Sequence, residues 1–434
     1  MGLDMERAAS FCEKWNMLPA GALVLCAVSG GRDSMALLHL LLDMAEKGGF
    51  RVAAAHFNHR LRPTADRDEA FVRDWCRARD VPLVCGIGDA RAFARQAGTS
   101  LEDAARTLRY QFLESTADRL GAERIATAHH REDNAETVLL HLLRGSGLQG
   151  LGGIPPVRGR IVRPLLEMGR EDINSYIQMN SIPFVEDETN RDTAFTRNRL
   201  RLEVLPLLEE ISPGCGERIA GMAALLREED CHLRREAEAL LPESGGGEQV
   251  LPAPLLGRQD PAMGRRLVRT MGRRLGVELS RSQVEAVLAL SSGGYLDLPG
   301  GLCAVRQPHR LILRKRTVLP PPLVLRMGAQ DWGPWRVVVR PGGPAAENDR
   351  TVVLKACPGT LTIAAWDGRG RLAVENGSRT IKRLFADRGI PVECREEHPA
   401  LHLNGVPAAV FGVATDWEHR PRPGEGCLVI ELLM

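Results

Sequence analysis

Two stretches in the first half of the chain hold residue types able to do chemistry. The first is Ser29-Gly30-Gly31-Arg32-Asp33-Ser34, placed between a short apolar run (24–28) and a dense apolar stretch (35–45) long enough for a helix. A Gly-rich loop that leaves a strand and opens a helix presents free backbone N–H groups at the positive end of the helix dipole. Gly30 and Gly31 let that backbone approach an anion, and Ser29 and Ser34 add hydroxyl donors. A plain strand–loop–helix turn with Ser34 as a helix cap would share these residues. Asp33 tips the balance, because a carboxylate repels phosphate unless a cation lies between them, which favours a metal-chelated phosphate, as in a nucleoside triphosphate. The loop is not a Walker A site, since no Gly-Lys-Ser/Thr follows, and the G-x-G-x-x-G dinucleotide spacing is absent.

The second stretch is "AHHREDNAETVLLHLLR" (128–144), where His129, Asp133 and Glu136 recur at i, i+4 and i+7 and share one face at a helix start. Two carboxylates there can hold a magnesium ion, an ammonium group, or one each; a solvated amphipathic helix front would look alike. Around these stretches lie Arg106, Arg109 and Tyr110 close along one helical segment, and the basic run Arg197-Asn198-Arg199-Leu200-Arg201. Arg109 and Arg144 add guanidinium charges able to neutralise charge that develops on a phosphate group.

The elements that must position these groups alternate. Residues 22–28, 51–57, 81–87 and 124–129 read as strands, and 34–47, 66–79, 100–120 and 132–144 as helices. Strands recurring between helices predict an α/β domain with a mainly parallel sheet covered on both faces, and ligands at the carboxyl ends of its strands. Pro213 and Gly214 suggest a linker, which sets a first domain at 1–212. A mainly helical middle domain at 216–317 ends in a hairpin (295–316) with Pro299-Gly300-Gly301 at its turn. A small, β-rich α+β domain follows at 323–434, with one helical stretch near 378–388.

Composition bounds the rest. A chain of 434 residues with 44% hydrophobic and 26% charged content is an ordinary globular one, and no apolar run reaches membrane-spanning length. The acidic N-terminus lacks the apolar core of a signal peptide, so a cytoplasmic location is expected. Ten cysteines occur singly with no C-x-x-C, which points to reduced core residues. A net charge of +2 makes any nucleic-acid argument a local one; only five of the 57 Lys and Arg residues are lysine.

The "SGGRDS" loop resembles the pyrophosphate-binding loop of the PP-loop ATP pyrophosphatases, enzymes that adenylate a substrate oxygen which a nitrogen or sulfur nucleophile then displaces. The stretches "AAHFNHRLRPTADRDEAFV" (54–72), "SLEDAARTLRYQFL" (100–113), "ATAHHREDNAETVLLHLLRGSGLQGLGGIPP" (126–156), "RPLLEMGREDI" (163–173), "FVEDETNRDTAFTRNRLRLEVLP" (184–206) and "GSRTIKRLFADRGIPVECREEHPAL" (377–401) together resemble the tRNA(Ile)-lysidine synthase family. That resemblance implies adenylation of the C2 oxygen of the wobble cytidine in the CAU anticodon of an isoleucine tRNA, then attack by the ε-amine of L-lysine. It places ATP on Ser29, Gly30, Gly31, Arg32, Asp33 and Ser34. The adenine pocket falls near His56 and Asn58, with His59 and Arg62 following. Mg2+ belongs on Asp33 and Asp133, and lysine on Asp133 and Glu136. Glu132 stands where the family often has Asp. The resemblance favours tRNA or phosphate contact for Arg197, Arg199 and Arg201. Arg379, Lys382 and Arg383, at i, i+3 and i+4, would form a basic stripe on one helical face that meets RNA phosphates.

Two rivals remain at this point. A base-thiolating PP-loop enzyme commonly needs paired cysteines, which are missing, although Cys26, Cys76 and Cys85 stand individually. A catalytically silent tRNA- or ATP-binding protein need not keep the loop and both carboxylates intact. The oligomeric state is open, a homodimer included.

Overall fold

The computed structural model describes the chain apart from residues 1–2, 61–64, 187–195, 244–246, 317–318, 343–347, 376, 391 and 434; Arg62 therefore lies outside the described residues. The chain gathers into two compact units, Met1–His232 and Leu233–Met434.

In the first unit, elements alternate as the apolar pattern predicts: α1 (Leu3–Lys14), β1 (Leu23–Ala27), α2 (Arg32–Gly48), β2 (Arg51–Asn58), α3 (Ala65–Arg77), β3 (Leu83–Ile87), α4 (Ala90–Ala97), α5 (Leu101–Leu120) and β4 (Arg124–Ala126). Next come α6 (Arg131–Leu143), the short α7 (Leu148–Leu151), a hairpin of β5 (Val157–Arg158) and β6 (Ile161–Val162), and α8 (Arg170–Met179). A short α9 (Thr196–Arg199) runs into a π-helical turn, Leu200–Val204, then α10 (Leu205–Ile211) and α11 (Cys215–Leu240).

The sheet order is β3-β2-β1-β4-β6-β5. All neighbours pair in parallel except β5 with β6. Because β2 and β3 lie on one side of β1 and β4 on the other, the strand order reverses between β1 and β4. In open α/β sheets the crevice at the carboxyl ends of two such strands takes the ligand.

Alternation along β1 shows how the sheet is sandwiched. Val24 and Cys26 face a core with Met35, Leu37, Leu38 and Leu41 of α2 and Ile173 and Ile177 of α8. Leu25 faces the opposite core with Leu113 and Ala117 of α5. Leu37, Leu38 and Leu41 are fully buried, each worth roughly 1.5–3 kcal/mol of transfer free energy. The strand read at 124–129 is shorter than expected, ending at Ala126; the chain then leaves the sheet to present His129 and His130 ahead of α6.

In the second unit, helices Pro261–Arg274 and Arg281–Leu288 pack Leu267, Val268 and Met271 against Leu302, Leu311 and Leu313. The expected hairpin is a three-strand meander (Tyr295–Leu298, Leu302–Gln307, Arg310–Lys315), and a fourth strand, Glu248–Pro252, pairs with Arg310–Lys315. Glu248–Pro252 falls in the middle domain expected to be mainly helical, starting at the end of its Gly-rich break (242–249); its partner strand lies some sixty residues downstream, so no local pattern marks it. The remainder is antiparallel: a five-stranded sheet, a four-stranded sheet and the hairpin of Arg371–Val374 and Gly377–Thr380. The expected helix at 378–388 is confined to Ile381–Asp387, because the Thr380 side chain accepts a hydrogen bond from the Arg383 N–H and caps it there. Arg379 is consequently a strand residue, and the three cations do not form a stripe on one helix. Arg379 and Arg383 still meet, each pairing with Asp387 at 3.0 and 3.1 Å.

Candidate active site

The phosphate loop leaves β1 and turns sharply at Gly30, whose φ of +90° favours glycine. A Cβ there would also press on the Val72 side chain at 3.3 Å. Ser29 and Ser34 lock the loop: the Ser29 N–H donates to Ser34 Oγ at 3.1 Å, and Ser34 Oγ donates to the Gly31 carbonyl at 2.9 Å. Gly31 is the N-cap of α2 and offers no side chain to cap it, so the first-turn N–H groups at 32–34 point into the crevice with the helix dipole behind them. Arg32 turns away, donating to Asn174 Oδ1 at 3.0 Å and lying over the Phe184 ring. The loop therefore offers an anion its backbone rather than that guanidinium.

Asp33 and Asp133 converge on one imidazole. His130 Nε2 lies 3.7 Å from Asp33 Oδ2 and 3.6 Å from Asp133 Oδ2, while its Nδ1 contacts Glu132 Oε2 at 2.9 Å. His130 is almost fully buried, which disfavours its charged form, yet the surrounding Asp133, Glu132 and Asp33 outweigh burial and raise its pKa. Burial raises the pKa of Asp33. Burial also opposes ionisation of Asp133, but His130, Arg197, His129 and Arg201 together override it and lower that pKa to about 2. Glu132 also accepts the Arg170 N–H at 3.1 Å. The glutamate thus ties the start of α6 to the start of α8, a job that suits its longer side chain. His130 was missed by the sequence reasoning, although the acids that follow the His-His pair are a usable signal.

Glu136 is fully buried and faces two guanidiniums. Arg201 donates from Nε to Glu136 Oε1 at 2.6 Å and from Nη2 to Glu136 Oε2 at 3.0 Å and Asp133 Oδ1 at 3.1 Å. Arg197 donates to Glu136 Oε2 at 3.0 Å and Asp133 Oδ1 at 3.3 Å. Arg197 and Arg201, expected to contact tRNA or phosphate, turn inward onto Asp133 and Glu136; Arg199 faces outward and pairs with Glu203. The π-helical turn at Leu200–Val204 lies where this segment crosses α6, and such turns are frequent at functional sites.

The remaining expected residues divide. His56 and Asn58 are buried at the end of β2. The Val28 carbonyl, 2.9 Å from His56 Nδ1, requires the proton on that nitrogen and leaves Nε2 as an acceptor. Asn58 donates to Asp66 at 2.9 Å. Burial, and the charges of Arg106 and Arg197 nearby, lower the pKa of Arg109; Arg109 and Arg197 are also among the charges acting on His129. Arg144 is not brought in. It forms the exposed C-cap of α6, eleven residues or about 16 Å of helix from Asp133. Cys26 and Cys76 are buried, and burial raises both thiols, Cys76 to about 11; Cys85 is raised for the same reason. Raised thiols are poor nucleophiles and poor sulfur carriers.

A model of the PP-loop domain matches residues 5–208, and one of the TilS substrate C-terminal domain matches residues 361–432. The tRNA(Ile)-lysidine synthase of Symbiobacterium thermophilum is 34% identical, over 97% of this chain and 95% of its own. Its counterpart in Geobacter sulfurreducens is 32% identical over 92% and 90%. That of Caldanaerobacter subterraneus is 36% identical over 72% and 69%. With the phosphate loop and the paired carboxylates lying in one crevice, and relatives aligned along nearly the whole chain, this protein belongs to the tRNA(Ile)-lysidine synthase family.

Proposed function

We infer that this chain uses ATP to adenylate the C2 oxygen of the wobble cytidine in the CAU anticodon of an isoleucine tRNA, and then joins L-lysine to C2 to form lysidine. In the first step the C2 oxygen attacks the α-phosphorus and pyrophosphate leaves; in the second the ε-amine of lysine attacks C2 and AMP leaves. The N–H groups at 32–34 and the hydroxyls of Ser29 and Ser34 hold the pyrophosphate portion, with the adenine toward β2, where His56 Nε2 and Asn58 close the pocket. Asp33 and Asp133, whose carboxylates lie on either side of His130 Nε2, supply the hard oxygen donors that would hold Mg2+. Bound there, the ion would screen Asp33 from the triphosphate and draw charge from the leaving pyrophosphate. Arg109 adds positive charge on the β4 side of the crevice, where the α-phosphate meets the acceptor base.

The observation that carries the lysine reading is the four-membered cluster of Asp133, Glu136, Arg197 and Arg201. Two carboxylates beside two guanidiniums complement a zwitterion, the carboxylates toward an α-ammonium and the guanidiniums toward an α-carboxylate. A substrate held by its zwitterionic end extends its side chain away from the cluster, and the ε-amine stays free to act as nucleophile. Arg197 and Arg201 thereby act on lysine rather than on tRNA. Arg199 and the cations Arg379, Lys382 and Arg383 remain for tRNA phosphates.

The test combines purified protein, ATP, Mg2+, labelled lysine and unmodified isoleucine tRNA. Label in the tRNA with equivalent AMP and pyrophosphate is expected. Sulfur incorporation instead, or tRNA binding without AMP release, would overturn the assignment.

A further inference from the structure

Around Tyr110, four guanidiniums gather that the chemistry above does not fully use. Arg106, Arg109 and Arg158 lie 5.1, 5.5 and 5.8 Å from its ring centroid. Arg163 is buried to 2% exposure beside it, donates to the Pro155 carbonyl at 2.5 Å, and leaves its Nε without a hydrogen-bond partner among the described residues. None of the four makes an ion pair with a carboxylate among the described residues. Glu114, the acid nearest in the wall, is paired with Arg160 at 3.6 Å. Burial raises the Tyr110 pKa, yet the charges of Arg106, Arg109, Arg163 and Arg158 overcome it and lower the pKa. An open cavity of about 420 Å³ lies against this group, lined by Arg106, Thr107, Tyr110, Gln111, Glu114 and Arg158.

Four like charges held together, with no carboxylate paired to them among the described residues, repel one another, a cost that an arriving anion removes. Their place in the fold selects which anion. Arg106 and Arg109 sit on the half of α5 that lies toward the carboxyl ends of the strands, since α5 runs antiparallel to β4. Arg163 directly follows β6 and Arg158 belongs to β5, two strands beyond the β1–β4 switch point. The adenine side of the crevice is β2, on the opposite flank of β1. The group therefore borders the crevice on the flank opposite the proposed adenine side, the flank left open to the acceptor RNA.

We propose that the arginines around Tyr110 form a binding site for RNA phosphodiesters next to the modified base, with Arg106 and Arg158 at its open rim. The proposal rests on the assignment of a tRNA substrate. Planar guanidiniums suit phosphate oxygens through paired hydrogen bonds; the exposed Arg106 and Arg158 can seat the turned backbone of a single-stranded loop, while Arg109 and the buried Arg163 add positive charge behind them.

The test uses the full chain and unmodified isoleucine tRNA, with binding measured as a function of NaCl, and ATP binding measured separately by calorimetry with Mg2+. Arg106 and Arg158 are both exposed, so R106A/R158A should fold, which its melting curve checks. The double variant is expected to bind tRNA at least about tenfold more weakly, with a salt slope shallower by about 0.7 for each phosphate it no longer neutralises. ATP affinity should stay within twofold, and R106K/R158K should recover much of the slope because charge is kept. An unchanged tRNA affinity and slope would overturn the site while leaving the assigned activity standing. Weakened ATP binding with normal tRNA binding would overturn it in favour of a nucleotide-phosphate role. Failure of the unaltered protein to bind tRNA at all would remove both the site and the tRNA assignment beneath it.

Discussion

Glu136→Gln is the substitution on which the lysine reading turns. Glu136 is fully buried and accepts three guanidinium hydrogen bonds, from Arg197 Nε and from Nε and Nη2 of Arg201. Glutamine keeps the shape but removes the charge, and its amide N–H₂ must face a donor where an acceptor is needed. Breaking a buried ion pair from one side costs roughly 3–5 kcal/mol; Asp133 still shares both guanidiniums, so the lower end applies. For a unit of this size about 3 kcal/mol lowers the melting temperature by roughly 6–12 °C. Independently, loss of a charged hydrogen bond to the substrate ammonium, worth roughly 1.5–3 kcal/mol, raises the KM for lysine about ten- to 150-fold. The assay is label transfer from lysine to tRNA at saturating ATP, well below the variant's melting temperature, with the KM for ATP measured in parallel. Glu136→Asp, which keeps the charge, should recover part of the lysine affinity. A lysine KM within twofold of the unaltered protein, or equal losses for lysine and ATP, would refute the role given to Glu136.

Asp33→Asn should leave the melting temperature within about 2 °C, since the residue lies on a partly exposed helix start. It should also cut tRNA-dependent AMP release at least about tenfold, or 1.4 kcal/mol of barrier, and unchanged AMP release would exclude a metal role. His56 is held neutral by burial, so its folded pKa lies below the ordinary value near 6.5. The unfolded chain then binds the extra proton, and this stability is present above about pH 6.5 and lost as pH falls toward the folded pKa. Melting curves from pH 7 to 5 should show a smaller decline for His56→Gln than for the unaltered protein, and an equal decline would count against the buried neutral imidazole. Changing Arg379, Lys382 and Arg383 together to Ala should weaken tRNA binding and flatten its salt dependence. The effect should be smaller than for three free cations, because Asp387 already pairs with two of them; an identical salt slope would make them a solvated surface.

What the sequence made legible were the features that a continuous stretch encodes by itself. The apolar run, Gly-rich loop and amphipathic stretch at 22–48 specify strand, turn and helix locally. The spacing of Asp133 and Glu136 puts both on one helical face whatever packs on it. The spacing of Arg197 and Arg201 carries the same information: four apart, they share a face, while Arg199 between them points elsewhere. A dense basic run drew attention to its charge and away from its period. Features built across the sheet leave no such trace. Glu132 reaches a backbone N–H thirty-eight residues away, and nothing at 132 encodes that partner. The guanidiniums around Tyr110 come from α5 and from a hairpin some fifty residues later, brought together only because β6 pairs with β4. A net charge of +2 over 434 residues conceals that gathering. Among the described residues no carboxylate pairs with these four guanidiniums, and the proposed RNA site rests on that local excess rather than on the total charge.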